Sequence, residues 1–109
     1  MDEVLTDSTY LILLALLEPK HGYGIMKDIT DITEGRISVG PASMYTILKK
    51  LEKQEYIVLQ QDSDRKKVYL ITKSGKEVLK KDIERRKLFY LAGESRFLES
   101  EEVTDDHQK

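Results

Sequence analysis

The chain has 109 residues, enough for one compact domain and too few for two, so its elements must share a single core. Its 39% hydrophobic and 35% charged residues are the composition of a folding chain, and the lack of cysteine excludes a disulfide framework, a thiolate nucleophile and a cysteine-based zinc site. The formal net charge is −2 but segregated: residues 19–81 hold thirteen Lys and Arg against eight Asp and Glu, a net of +5, whereas residues 1–18 carry −4 and residues 82–109 carry −3. A basic middle on an acidic chain fits a phosphate-contacting face, because electrostatic footprints are local, although an ordinary solvated surface gives the same count.

The longest apolar run, Tyr10 to Leu17, is too short to cross a bilayer, and it follows Asp2, Glu3 and Asp7, where an export signal would be positive. The expectation is a soluble cytoplasmic protein with no membrane partner. Asp7 or Ser8 can cap a first helix that is apolar on all sides and stops before Pro19. A helix so apolar needs cover on most faces, part of it from a second subunit. After the turn at Pro19 to Gly22, helical spacing of Ile25, Met26, Ile29 and Ile32 predicts an amphipathic second helix, with Lys27, Asp28 and Asp31 on its other face. His21 is read as a turn or capping residue, since no second ligand lies at metal-binding spacing. Glu34 to Gly40 is the connecting turn.

Pro41 stands where a third helix takes its first residue. Met44, Ile47, Leu48 and Leu51 form its apolar stripe, leaving Ser43, Tyr45, Thr46, Lys49, Lys50 and Lys53 outward. Two β-rich runs, Ile57 to Gln61 and Lys67 to Ile71, flank a polar turn and form a hairpin with a basic tip. From Thr72 or Ser74 a long helix is expected to about Leu98, with Val78, Leu79, Ile83, Leu88, Tyr90, Leu91, Phe97 and Leu98 apolar and Gly93 as a point of interruption; Glu99 to Lys109 reads as a frayed acidic tail.

The expected fold class is therefore mainly α with a two-stranded β wing: a winged helix-turn-helix domain over residues 1–72, a C-terminal dimerisation helix over 73–98 and a flexible acidic tail over 99–109. In that geometry the third helix enters the major groove of double-stranded DNA while the wing touches the neighbouring backbone. Lys49, Lys50, Lys53, Arg65, Lys66 and Lys67 are placed to neutralise phosphates, and Ser43, Tyr45 and Thr46 lie nearer base edges. Tyr45 can alternatively pack against the second helix, and Tyr23 and Tyr69 are expected at domain edges.

The runs TYLILLALLEPKHGYGIMKDI, GPASMYTILKKLEKQEYI and RKKVYLITKSG resemble the PadR family of transcriptional regulators, in its short form with one C-terminal helix. The likeness covers about residues 8–92, and its specificity lies in the combination of Pro-x-x-Gly-Tyr, Met-Tyr-x-x-Leu-x-x-Leu-Glu and Tyr-x-x-Thr-x-x-Gly. It implies a homodimer that binds an inverted-repeat operator, usually as a repressor, with release by a small molecule in many members; a small hydrophobic effector is the further partner this leaves open. It also implies DNA contact at Pro41, Ser43, Tyr45, Thr46 and Lys49 and on the wing at Arg65 to Lys67, and dimerisation of the last helix against the partner's first. We assign Leu11, Leu14, Leu79, Ile83, Tyr90 and Phe97 to that interface. Phe89, Tyr90 and Phe97 are most simply dimer core, with a ligand pocket as the alternative. Glu55 departs from the pattern by standing where Gly is common, which leaves the wing angle open, and the tryptophan-lined pore of some relatives has no counterpart in a chain without Trp. No phosphate loop, nucleophile–base pair or metal cluster is present, so no enzyme, cofactor or metal site is expected. The rival is a winged-helix protein-interaction module without DNA binding, which would be expected to lose the basic face.

Overall fold

The computed structural model describes residues 3–62 and 66–107. The order is α1 (Asp7–Ala15), α2 (Gly22–Ile32), α3 (Pro41–Lys53), β1 (Ile57–Asp62), β2 (Lys67–Ile71) and α4 (Lys73–His107), a mainly helical chain with one antiparallel hairpin. Thr6, rather than Asp7 or Ser8, caps α1: its hydroxyl accepts from the Thr9 N–H at 3.2 Å, and Asp7 then falls in the first turn, where a negative charge suits the helix dipole. After α1 the chain runs beside β2. Lys20 and Tyr69 exchange both backbone hydrogen bonds, at 3.1 and 2.9 Å, and the Ile71 N–H reaches Leu16 O at 3.0 Å. The wing is thereby hydrogen-bonded to the end of the first helix as well as to itself.

His21 caps α2, with Nδ1 accepting from the Gly24 N–H at 3.2 Å, as expected of a capping residue. Ile25 and Ile29 are fully buried, but Ile32, placed on the same stripe by its spacing, is 45% exposed because α2 ends there and the core does not extend under its last turn. Thr33 fastens the following turn by donating to Ile29 O at 2.8 Å and accepting from the Ile37 N–H at 3.2 Å. Gly40 precedes α3, Pro41 opens it, and Met44, Leu48 and Leu51 bury its inner face. Together with Ile12, Leu13 and Leu16 of α1 and its turn, Ile57, Tyr69 and Ile71 of the wing, and Leu79 of α4, these side chains make one core. Tyr69 sits in that core, whereas Tyr23, also expected at a domain edge, is 70% exposed.

Between α3 and the wing the chain turns sharply. The Tyr56 N–H bonds to Leu51 O at 3.0 Å and the Glu55 N–H to Glu52 O at 2.9 Å, a Schellman closure that places Glu55 at φ 64°. A non-glycine residue there costs roughly 1–2 kcal/mol. The offset comes from the start of α4: Thr72 and Ser74 donate their hydroxyls to the Glu55 carbonyl, at 2.7 and 3.1 Å. Thr72 also accepts from the Gly75 N–H at 3.1 Å, and its own N–H reaches Tyr56 O at 2.9 Å. A Cβ at residue 75 would run into that same Tyr56 carbonyl oxygen, so glycine is required for α4 to begin so close to the turn. The wing departs from a braced junction despite Glu55. β1 and β2 pair from Ile57 opposite Ile71 to Asp62 opposite Lys67, with a bulge between Leu59 and Gln61.

α4 does not break at Gly93 and continues past Leu98 to His107, so the acidic stretch expected to fray is helical. At 1.5 Å per residue its 35 residues span about 52 Å. Leu79 is 2% exposed in the core and Leu11 is 7% exposed, so neither has surface to offer a partner, contrary to their assignment to a dimer interface. From Leu88 to Glu102 every residue of α4 is exposed, as the helix leaves the body of the domain.

The amino-terminal segment is tied to α4 by a buried charge. Asp82 is 2% exposed and accepts from Arg86 Nε at 2.6 Å, from Arg85 Nε at 3.0 Å and from the Leu5 N–H at 3.4 Å. Arg86 further donates to Asp7 and to Leu5 O, and its guanidinium lies 4.1 Å from the Tyr10 ring centre. Burial pushes the Asp82 carboxyl up, but the hydrogen bonds from Arg86, Arg85 and Leu5 outweigh it and hold the group below the usual carboxylate range. A carboxyl depressed on folding gives stability that is present above its unfolded value and is lost as pH falls through the ordinary carboxylate range towards the folded value. Asp82→Asn is accordingly expected to cost about 3 kcal/mol in urea unfolding at neutral pH, the partly exposed arginines keeping it at the low end for a broken buried pair. It should also flatten the loss of stability on acidification; a variant as acid-sensitive as the parent would assign that loss to other carboxylates.

Candidate nucleic-acid interface

The outer flank of α3 is open. Pro41, Ser43, Tyr45, Thr46, Lys49, Lys50 and Lys53 are all exposed, because the i, i+4 and i+7 positions Met44, Leu48 and Leu51 take the buried side of the same helix. Lys50 and Lys53 fall in the last turn, where a positive charge complements the helix dipole as well as adding to the surface potential. Thr46 donates its hydroxyl to Ala42 O at 3.0 Å, so its oxygen faces outward as an acceptor only.

Tyr45 is 49% exposed and does two things at once. Its phenol end lies over Gly22 at the start of α2, and about half of the residue stays exposed on the flank just described. This bears out the packing against the second helix that the sequence offered as one of two alternatives for Tyr45. Beside Gly22, Tyr23 projects from the first turn of α2 with its ring edge-on to His21, at 6.4 Å between centres. His21 in turn lines an open cleft of about 390 Å³ with Pro19, Lys20, Gly24, Lys66 and Val68. Tyr45 thus brings α3 against the first turn of α2, and His21 at the start of that helix faces Lys66 and Val68 of the wing across the cleft.

Lys66 and Lys67 are exposed beside the tip of the wing, where Lys67 pairs with Asp62, while Arg65 lies outside the described residues. Lys20 is directed elsewhere: its Nζ donates to Ala15 O at 2.7 Å and pairs with Asp28 at 3.6 Å, so it closes the end of α1 instead of joining the flank. Of the side chains assigned to a dimer interface, Ile83, Tyr90 and Phe97 are 40%, 63% and 61% exposed, and Leu14 is half-buried against the chain's own core. Sequence spacing did not single out Gly22 or the trio Thr72, Ser74 and Gly75, which position the flank without belonging to it. The Tyr-x-x-Thr-x-x-Gly pattern at the wing exit was the visible signal for the latter, as Pro-x-x-Gly-Tyr was for Gly22.

Among the described residues no group of three or more His, Cys, Asp and Glu side chains is arranged to hold a metal, and no helix is long and apolar enough to cross a membrane.

The profile of the PadR-like family of transcriptional regulators matches residues 11–81. The chain is 29% identical over 76 residues to the Escherichia coli transcriptional regulator YqjI, a match covering 68% of this chain and 37% of YqjI. It spans 22% and 37% of the lengths of the first two curated relatives it matches. Among solved structures, a transcriptional regulator from Clostridium thermocellum superposes with a TM-score of 0.65 at 22% identity, over 94% of this chain and 93% of that one. A PadR family transcriptional regulator from Eggerthella lenta does so with a TM-score of 0.63 at 26% identity, over 82% and 75%. A profile match across the first three helices, the wing and the start of α4, carried on the fold described above, establishes that the chain belongs to the PadR-like family of transcriptional regulators.

Proposed function

We propose that the protein regulates transcription by binding an inverted-repeat operator in double-stranded DNA as a homodimer, and that it acts as a repressor. The observation that carries this reading is the exposed outer flank of α3 with Lys49, Lys50 and Lys53 on it, its Tyr45 set against the first turn of α2 and Lys66 of the wing lining the cleft beside that turn. A helix of this width fits the major groove, and the wing then lies along the adjacent backbone. Lysines supply affinity by displacing counterions from phosphates and carry no sequence information. Ser43, Tyr45 and Thr46 stand on the early turns, where base edges are reached, and the outward acceptor of Thr46 suits an exocyclic amino group of adenine or cytosine. Repression needs only that the operator be occupied.

The homodimer rests on α4. Ile83, Tyr90 and Phe97 recur every seven residues on its exposed length, and Leu91 and Leu98 repeat at the same interval beside them. That is a seam for a second helix, and leaving it in water exposes a row of large apolar side chains. A twofold pair would set its two α3 helices about 34 Å apart, one turn of the duplex.

Binding to a duplex selected from a random pool is expected to weaken steeply as salt rises. Lys49→Ala should weaken binding to all duplexes and reduce the log–log salt slope by about one per protomer, whereas Tyr45→Ala should lower discrimination between sites. A flat salt response at measurable affinity would favour a protein-binding winged helix instead. In sedimentation the parent should be a dimer at micromolar concentration, and Tyr90→Glu combined with Phe97→Glu a monomer; a parent that sediments only as monomer removes the α4 seam from the reading.

A further inference from the structure

Gly22 is the first residue of α2 and its backbone has no positive φ, so conformation alone does not call for glycine; alanine is the better helix former. Space calls for it. A Cβ built on Gly22 would lie 2.5 Å from the Tyr45 hydroxyl oxygen, 3.1 Å from Tyr45 Cζ and 2.9 Å from Met44 Cε. Carbon atoms do not hold such separations, and one of the neighbours must give way. Met44 is fully buried among core side chains, while Tyr45 is half in solvent and its phenol end can swing outward. The bare backbone at Gly22 is thus a seat cut to the end of the Tyr45 ring, and a methyl group there unseats the ring before it disturbs the core.

We propose that Gly22 is a positioning residue for sequence reading: by leaving room for the phenol of Tyr45 against the first turn of α2, it holds that side chain in the one rotamer that presents it to base edges. The proposal rests on the DNA-reading role given above to Tyr45. A tyrosine has two side-chain dihedrals to fix, and a ring already seated before binding spares the complex the cost of ordering it. Lysine contacts to phosphate do not pass through this seat. Gly22 therefore governs discrimination between duplexes and leaves general affinity alone.

The test is a double-mutant cycle of Gly22→Ala and Tyr45→Ala, with two duplexes as probes: one selected from a random pool and a shuffled one of the same composition. Gly22→Ala is expected to lower the selected-over-shuffled affinity ratio about tenfold, within the range of one good base contact, to leave affinity for the shuffled duplex unchanged, and to add nothing in the Tyr45→Ala background. Independently of DNA, the Tyr45 ring resonances should shift in Gly22→Ala. Its Tm should fall below that of the parent, whereas the same substitution in the Tyr45→Ala background, with the space vacated, should leave the Tm equal or raised. Losses that add across the cycle, a Gly22→Ala protein that discriminates like the parent, or a parallel fall in affinity for both duplexes each overturn the proposal. A parent that binds both duplexes equally brings down the DNA-reading role itself, a different result from a discriminating parent matched by its Gly22→Ala variant.

Discussion

The arrangement of the whole chain depends on the few peptide groups at Glu55 and Tyr56. There α3 ends, β1 begins and α4 starts, and the three are joined through main-chain atoms: the Glu55 carbonyl takes the hydroxyls of Thr72 and Ser74, and the Tyr56 carbonyl takes the Thr72 N–H. Because Gly75 presents no side chain, α4 can press directly on that turn. A residue in left-handed backbone is tolerable when several hydrogen bonds over-determine it. Glu55 meets that condition, and the result is that α3, the wing and α4 are held together at one turn.

A second tie reaches the same turn from the amino-terminal segment. Glu3 accepts from Tyr56 Oη at 2.8 Å and from Gln54 Nε2 at 3.3 Å, and this bond to Glu3 raises the Tyr56 phenol above its ordinary value. Two residues on, Leu5 is held to Asp82 and Arg86 of α4. The amino-terminal segment thus bridges the end of α3 and the body of α4. Both ties use backbone groups or a compensated buried carboxylate, so each satisfies polar atoms that the small apolar core could not.

Much of this was legible from periodicity. Ile25 and Ile29, Met44, Leu48 and Leu51, and the β-branched and aromatic runs of the hairpin each declared an inner face, and Pro41 marked the start of α3. The misreadings share one cause, that one-dimensional spacing does not say where the core stops. Ile32 lies on the correct stripe but beyond the core's edge, and Leu79 lies on the correct helix but inside it. The last turns of α4 carry Glu and Asp without an apolar repeat and are helical nonetheless as far as His107. The motifs that hold Gly22 and Gly75 marked the positions but not the reason for them, since the need for a missing side chain is set by atoms distant in sequence.

The length of α4 sets a mechanical scale. The rod is held to the body as far as Arg86, and the stretch of about 30 Å from Leu88 onward turns one degree of tilt into about 0.5 Å of travel at its tip. Whatever clasps the outer half of the rod has fine control over the attitude of the body, in the manner of a tiller.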